Sequence, residues 1–370
     1  MPIVAQNLSA VWQRIAVCLL PRLEECFDQP LTQRLEALIA VLEVVRIEDA
    51  AVCQPRACRG RPRHDRRFLA RAFVAKALFD LPCTTLLLEM LHLHAPLRRL
   101  CGWERRHQIP SAATFSRAFA AFAAAGLGDS VHAALVAQYV DTSLVLHLSR
   151  DATAICAREK PAKKPPCAPA PARKRGRPRK GEERPSPAVP RLQRQLTQSV
   201  EQALSELPRV CDVGTKTNAK GFKQSWVGWK SHIDWTDGGL PVNVVTTSAS
   251  LHDSQVAIPM ARQTAQRVTS LYDLMDAAYD AAAIRQVSEE LGHVPLIESK
   301  RGGKEGGGFD PVQARRYQER TTAERGNSRL KDAFGGRHLR VRGHAKAHLH
   351  IMFGILVLFA DQLLKPCTTG

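Results

Sequence analysis

Apolar residues recur every three to four positions through most of the first 140 residues, so the chain should begin as a set of packed helices. The spacing predicts helices over Leu8 to Leu20, Leu31 to Val45, Phe68 to Leu81, Thr84 to His94 and Ala112 to Ala124. Pro110-Ser111 marks a helix start, with Ser111 as N-cap. Thr114, Ser116 and Arg117 follow it, a polar and cationic N-terminal end that suits a DNA-recognition helix and equally the surface of a plain helical bundle. The pattern then changes. Ser143 to Ser149 is short and largely apolar and precedes Arg150-Asp151, which reads as a buried strand ending at a carboxylate. Trp226 to Trp235 and Val242 to Ser248 flank Asp237-Gly238-Gly239, a hairpin signal. A helix over His252 to Ser270, a strand over Leu271 to Met275 ending at Asp276, a helix capped by Asp280 and a strand over Val294 to Glu298 come next. A glycine-rich loop, 301–308, leads to a final helical stretch that bears Glu324.

Counted from Ser143, the order is three strands, helix, strand, helix, strand, helix. That is the order of the ribonuclease H-like fold, a mixed five-stranded sheet with flanking helices. Four divisions follow: a helical region over 1–140 that would bind DNA, the first strand over 141–156, a linker over 157–195, and the rest of the catalytic domain over 196–365. The linker holds nine prolines and almost no large apolar residue, so it cannot bury a core and should be disordered. It contains 13 Lys/Arg and 3 Asp/Glu, a net of 13 − 3 = +10 out of +18 for the whole chain. Such an excess points to a polyanion such as nucleic acid. Arg175-Gly176-Arg177-Pro178 resembles an AT-hook, an extended segment that lies in a narrow A·T minor groove, although a solvated basic linker has the same composition.

Other classes fit poorly. The basic runs are Pro-rich and not amphipathic, which disfavours a membrane surface. The most apolar run, Ile351 to Ala360, is about half the length that spans a bilayer and reads as a buried helix. No signal peptide is visible, and ten scattered cysteines without a Cys-x-x-Cys pair suggest reduced thiols in a cytoplasmic, nucleoid-associated protein. Cys53/Cys58 or His344/His348 could each contribute half of a zinc site, but neither has an obvious second pair.

The candidate chemistry is acidic. Asp151 and Asp276 follow strands whose ends should converge, and Glu324 lies on the last long helix. Three carboxylates brought together repel one another, a problem that two divalent cations remove; hard oxygen ligands suit Mg²⁺ or Mn²⁺. Around Glu324, Tyr317, Arg320 and Lys331 are spaced so that on one continuous helix all four fall at about 0°, 300°, 340° and 320°, on one face. A carboxylate among two cations and a phenol suits a metal ligand that works beside phosphates. Each residue taken singly has a simpler reading, as a turn residue or an exposed i,i+4 ion pair.

Taken together these residues resemble bacterial insertion-sequence transposases of the DDE type with a Tyr-(2)-Arg-(3)-Glu-(6)-Lys signature, matched at Tyr317, Arg320, Glu324 and Lys331. Arg150-Asp151-Ala152-Thr153 is similar to the first Asp motif and Met275-Asp276-Ala277-Ala278-Tyr279-Asp280 to the second. The segments Cys211 to Lys216, His252-Asp253-Ser254 and Phe334 to His338 also look like this group, and the likeness spans about 60–365. Two departures stand out: Ala278 replaces a common Gly, and 324 − 276 = 48 residues leave no room for the β-rich insertion of some relatives. Trp226 and Trp229 are bare candidates for the base-holding aromatics which that insertion supplies.

The resemblance implies a transposase that binds the terminal inverted repeats of its element, hydrolyses DNA to expose a 3′-hydroxyl and joins that end to target DNA by transesterification. Asp151, Asp276 and Glu324 would hold two Mg²⁺ or Mn²⁺ ions. Tyr317, Arg320 and Lys331 would grip phosphates, with Arg117, Arg175 and Arg177 as further DNA contacts. Synapsis of two ends implies a homodimer or larger assembly. A stand-alone metal-dependent nuclease and a domesticated, non-catalytic DNA-binding protein are the competing readings. Replacing 157–195 by a neutral tether of equal length should flatten the dependence of log K on log salt by several units, since each neutralised phosphate contributes about −0.9. Salt-titrated binding measures this, and an unchanged slope would show that the linker stays off the DNA.

Overall fold

The computed structural model describes residues 31–51, 64–140, 144–163, 189–217, 221–299 and 308–365. The helix expected before Leu20, the Cys53/Cys58 pair and the AT-hook-like residues Arg175 and Arg177 lie outside the described residues. The N-terminal part is helical: α1 (Gln33–Val45), α2 (Ile47–Ala50), α3 (Arg66–Leu78), α4 (Thr84–Leu93), α5 (Ala95–Cys101), α6 (Ala112–Ala124) and α7 (Leu127–Tyr139). Ser111 is the residue before α6 and its hydroxyl meets that of Thr114 at 3.3 Å; Arg117 is exposed on α6. There follow β1 (Val145–Cys156), α8 (Arg191–Gln195), α9 (Val200–Ser205), β2 (Asp212–Thr217), β3 (Lys223–Thr236), β4 (Pro241–Ser248), α10 (Ser254–Ala265), β5 (Ser270–Met275), α11 (Ala282–Glu290), β6 (Val294–Ile297), α12 (Pro311–Tyr317), α13 (Thr321–Ala333) and α14 (His344–Leu364).

The strands form one mixed sheet in the order β2-β3-β1-β5-β6, with β4 also on β3. β1 pairs β3 antiparallel and β5 parallel, and β5 pairs β6 parallel. The β3–β4 hairpin turns at Asp237-Gly238-Gly239, where Gly239 takes a φ of +71° that favours glycine. Three expectations needed correction. Asp151 does not end β1 but sits in its middle, because β3 is long enough to pair the strand from Leu148 to Cys156. A sixth strand, β2, joins β3; its residues are mostly exposed and carry no apolar run, so periodicity misses it. Arg191–Gln195, assigned to the linker from composition, is helical, with Gln195 buried and donating to the Gln255 carbonyl at 2.9 Å.

The helical region has no separate core. One apolar cluster runs from Leu38 through the sheet residues Trp229, Ile233 and Trp235 to Ala360. Its axis is α14, which packs against α1, α3, α6, α7 and β4. Phe353 of α14 stacks with Phe73 and Phe119 at 5.5 and 6.0 Å between ring centroids. The segment Ile351 to Ala360 is buried throughout, as its composition predicts; α14 is also long and apolar enough to cross a membrane, but here it is the core of a folded protein.

On the other side, α13 packs on β1 and β3. Its buried face is Thr322, Ala323, Gly326, Asn327 and Leu330, the one-turn spacing of a helix lying on a sheet. Gly326 lets it approach closely, since a Cβ there would stand 2.6 Å from the indole of the fully buried Trp235. Gly326→Ala should therefore overpack this contact and destabilise the protein by about 1–3 kcal/mol. Urea denaturation checks it; a midpoint equal to wild type would mean that α13 is free to lift.

Candidate active site

The sheet register brings the two aspartates together. The last β1–β5 pair is Ser149 with Leu274, and two residues further on the same parallel strands come Asp151 and Asp276. Asp276 leaves β5 and turns into a 3₁₀ turn, Ala277–Tyr279, accepting the Ala278 N–H at 2.9 Å. Ala278 fits this turn without left-handed backbone angles, so the absence of glycine there is no obstacle. Asp151 receives a hydrogen bond from Asn327 Nδ2 of α13 at 2.9 Å. Burial pushes the Asp151 carboxyl up to about 6, and the nearby Asp276 charge adds to the rise; the Ala152 N–H, Arg320 and Asn327 oppose it. The two carboxylates therefore feel each other in a poorly solvated place.

Both line a cavity of about 1110 Å³, together with Arg320, Glu324, Asn327 and Lys331. Segments distant in sequence converge on it: Thr215 and Lys216 of β2, His252-Asp253 before α10, and Gly336-Arg337 after α13. Glu324 is half-exposed and ion-paired with Arg320. Burial works against the Arg320 charge, but Tyr317, Glu324, Asp151 and Asp276 outweigh it and hold the guanidinium more firmly protonated than usual. Burial lowers the Lys331 ammonium, helped by Arg337 and Lys216 and opposed by Cys156 and Asp151.

The helix bearing the signature is not continuous. A 3₁₀ turn, Gln318–Arg320, separates α12 from α13, and its tighter winding keeps Tyr317 in line with Arg320, whose guanidinium lies 5.8 Å from the Tyr317 ring centroid. Tyr317 donates its hydroxyl to the Met275 carbonyl at 3.2 Å, next to Asp276, and stacks on Phe309 at 4.7 Å. Burial pushes its phenol up to about 12. Tyr317 thus supports the chain that presents Asp276 and does not line the cavity.

Of the two tryptophans, Trp229 is buried in the core, whereas Trp226 borders the cavity with Lys230 Nζ 6.0 Å from its ring centroid. His344 and His348 are not metal ligands: they bond Thr246 and Asp129 at 2.8 and 2.9 Å. Sequence reading passed over Asn327 and Lys230, and named Lys216 only within a family-like segment. Asn327 was detectable in principle, because it lies three residues beyond Glu324 on the same helix. Lys230, paired with Asp253 at 2.9 Å, had no local signal.

No group of three or more His, Cys, Asp or Glu side chains stands close enough to hold a metal ion among the described residues. The donor set nonetheless fits a hard divalent ion: two carboxylates on adjacent strands, one of them buried with no cation of its own beyond the shared Arg320.

Residues 209–360 match the family model of the transposase DDE domain, and residues 23–121 match that of the transposase domain DUF772. No curated protein and no solved structure matches the chain. The class defined is that of the DNA-cutting and DNA-joining enzymes of mobile elements. The chain belongs to the DDE transposases of insertion sequences, which act on DNA and depend on a divalent metal. Asp276, Glu324 and the signature residues lie within the matched ranges, and Asp151 lies outside both.

The raised Asp151 pKa has a definite sign. A carboxyl whose folded pKa, about 6, exceeds its unfolded value of 3.8 stabilises the fold while protonated and loses that contribution as pH rises from about 4 through 6. Asp151→Asn should remove this loss, so that metal-free stability at pH 7 rises by something on the order of 2–3 kcal/mol relative to wild type, with no such gain at pH 4. Thermal melts of both proteins across this range check it; a difference that does not vary with pH would place Asp151 in solvent.

Proposed function

We propose that Asp151, Asp276 and Glu324 hold two Mg²⁺ or Mn²⁺ ions, and that the enzyme uses them to cut DNA at the terminal inverted repeats of its element and to join the freed 3′-hydroxyl to target DNA. The observation that supports this reading is that the three acids, from β1, the end of β5 and α13, line one cavity whose other lining residues include Lys216, Lys230, Arg320, Lys331 and Arg337. Bound divalent ions would activate a water or 3′-hydroxyl and stabilise the departing oxygen.

The protein's own groups have separable parts. Asn327 orients Asp151 through Oδ2, and the Ala278 N–H orients Asp276 through Oδ1. Arg320 offsets the charge of the acids, and its planar fork suits a phosphate oxygen pair. Lys331, with its ammonium lowered by burial and like charges, gains from an approaching phosphate. Tyr317 acts through Met275 by fixing the backbone before Asp276. Arg117, Arg175 and Arg177 would extend the DNA contact beyond this cavity. Two element ends must be handled together, so the working form is a homodimer or larger complex, and the protein is cytoplasmic at the nucleoid.

Asp276→Asn should bind terminal-repeat DNA like wild type yet lose Mg²⁺-dependent cleavage, because the amide keeps the turn but loses the charge. Gel-resolved cleavage and strand-transfer products are the readout. Cutting at the wild-type rate would sink the site assignment, and cutting without joined product in wild type would point to a plain nuclease.

A further inference from the structure

A second cavity, of about 620 Å³, lies where the helical region meets the segment after α13. The two cavities share a wall. Gly336 and Arg337 face the catalytic cavity, and Gly335 and His338 on either side of them face the second. Five cationic side chains line the second cavity: Lys76 of α3, Arg158 beyond β1, Arg340 and Arg342 after α13, and Lys346 of α14. No Asp or Glu lines it. Two acids stand at its edge, Asp80 beside His338 at 3.8 Å and Glu159 accepting the Gly343 N–H at 3.0 Å, fewer than the cations they face. Among the described residues Arg158, Arg340, Arg342 and Lys346 make no ion pair, whereas many arginines elsewhere do, such as Arg46 with Asp49 and Arg99 with Glu104.

Like charges gathered around a concavity repel one another and concentrate a positive potential there, an arrangement that an incoming polyanion relieves. Lys76 makes the point locally: burial brings its ammonium down to about 8, against the opposing pull of Cys83 and Asp80, and an anion beside it would raise it again. His350 is not part of this charge; burial holds it neutral at about 4, and it bonds the Gly335 carbonyl at 2.9 Å, bracing the shared wall.

We propose that this second cavity binds backbone phosphates of the same DNA whose scissile bond lies in the catalytic cavity, some nucleotides away from that bond. The inference rests on the transposase reading of the first cavity. A strand leaving the catalytic cavity over Gly336-Arg337 meets Arg340, Arg342 and Lys346 next, while Lys76 approaches from the helical region. One substrate thereby touches both family-matched parts of the chain.

The test is salt-titrated fluorescence anisotropy with a duplex made from the DNA that flanks the coding region. The triple variant Arg340→Ala/Arg342→Ala/Lys346→Ala should lose about 0.9 units of slope for each phosphate contact removed, up to about 3 units. Arg34→Ala, an exposed charge removed from α1, should leave the slope unchanged, and Arg340→Lys/Arg342→Lys should retain it. A triple variant with the wild-type slope overturns the proposal while leaving the transposase reading intact. Absence of salt-dependent binding by wild type overturns both. Cys83 borders the cavity and supplies a second readout. Duplexes carrying a thiol tether on single backbone phosphates should form a disulfide with Cys83 at positions outside the cut site, and Cys83→Ser should abolish it. If no phosphate position gives a Cys83-dependent cross-link, the cavity does not hold DNA.

Discussion

The buried ion pair between Arg150 and Asp234 is the interaction on which the site's geometry depends. Arg150 is almost wholly inaccessible, and its Nε and Nη2 each reach an Asp234 oxygen at 2.8 Å, locking β1 to β3. Its remaining Nη1 meets the Ala257 carbonyl of α10 at 3.4 Å and the Met275 sulfur at 3.7 Å. Thr264 donates to the same aspartate. One guanidinium thus ties two strands, a helix and the end of β5, and its sequence neighbours are the point: Asp151 follows Arg150, and Asp276 follows Met275. Burial disfavours the Arg150 charge, but Asp234 more than compensates and raises its pKa. Removing one partner of such a pair leaves an unpaired buried charge at about 3–5 kcal/mol. The network therefore specifies a single relation between the middle of β1 and the end of β5, where Asp151 and Asp276 stand.

The third acid reaches the site by a different constraint, close helix-on-sheet packing. Gly326 allows the backbone of α13 to lie against the Trp235 ring, and that closeness lets Asn327 touch Asp151. Glu324, one turn earlier, then faces the same cavity, where Arg320 offsets the acids that would otherwise repel. The 3₁₀ turn between α12 and α13 is a consequence of having two anchors, Tyr317 on Met275 and α13 on the sheet, on one length of chain.

The main strands of the sheet were legible because they carry strong periodic signals, and the three candidate acids could be singled out by position. The apolar runs of β3, β4, β5 and β6 and the Asp-Gly-Gly hairpin turn are local features. Asp151 and Asp276 could be paired from strand order alone, and the register places them on adjacent parallel strands. What was not legible depends on partners remote in sequence. β2 is an exposed strand whose existence follows from β3 being long. Tyr317 looked like a cavity residue because nothing local says that its hydroxyl bonds the Met275 carbonyl, and Trp229 looked available because nothing local says that α14 covers it. The roles of Asn327 and Lys230 exist only through contacts 176 and 23 residues away.

The shared core also explains where a long insertion can be tolerated. α14 is surrounded by helices from the N-terminal region, by β4 and by α13, so a hinge between the helical region and the sheet would expose the centre of the apolar cluster. An insertion after β1 carries no such penalty. β1 is held to β3 over nine residue pairs before the chain departs, and the Ala157 N–H still bonds the Val227 carbonyl at 2.8 Å. On its return the chain is fastened at once, by Gln195 on Gln255 and by Arg262 reaching the Gln195, Leu196 and Gln198 carbonyls. With both ends fixed by contacts inside the sheet domain, lengthening the segment between them adds only about 0.6 kcal/mol of closure entropy per doubling. A strongly basic segment of +10 can therefore be carried between β1 and the rest of the sheet without loosening the register that holds Asp151 beside Asp276.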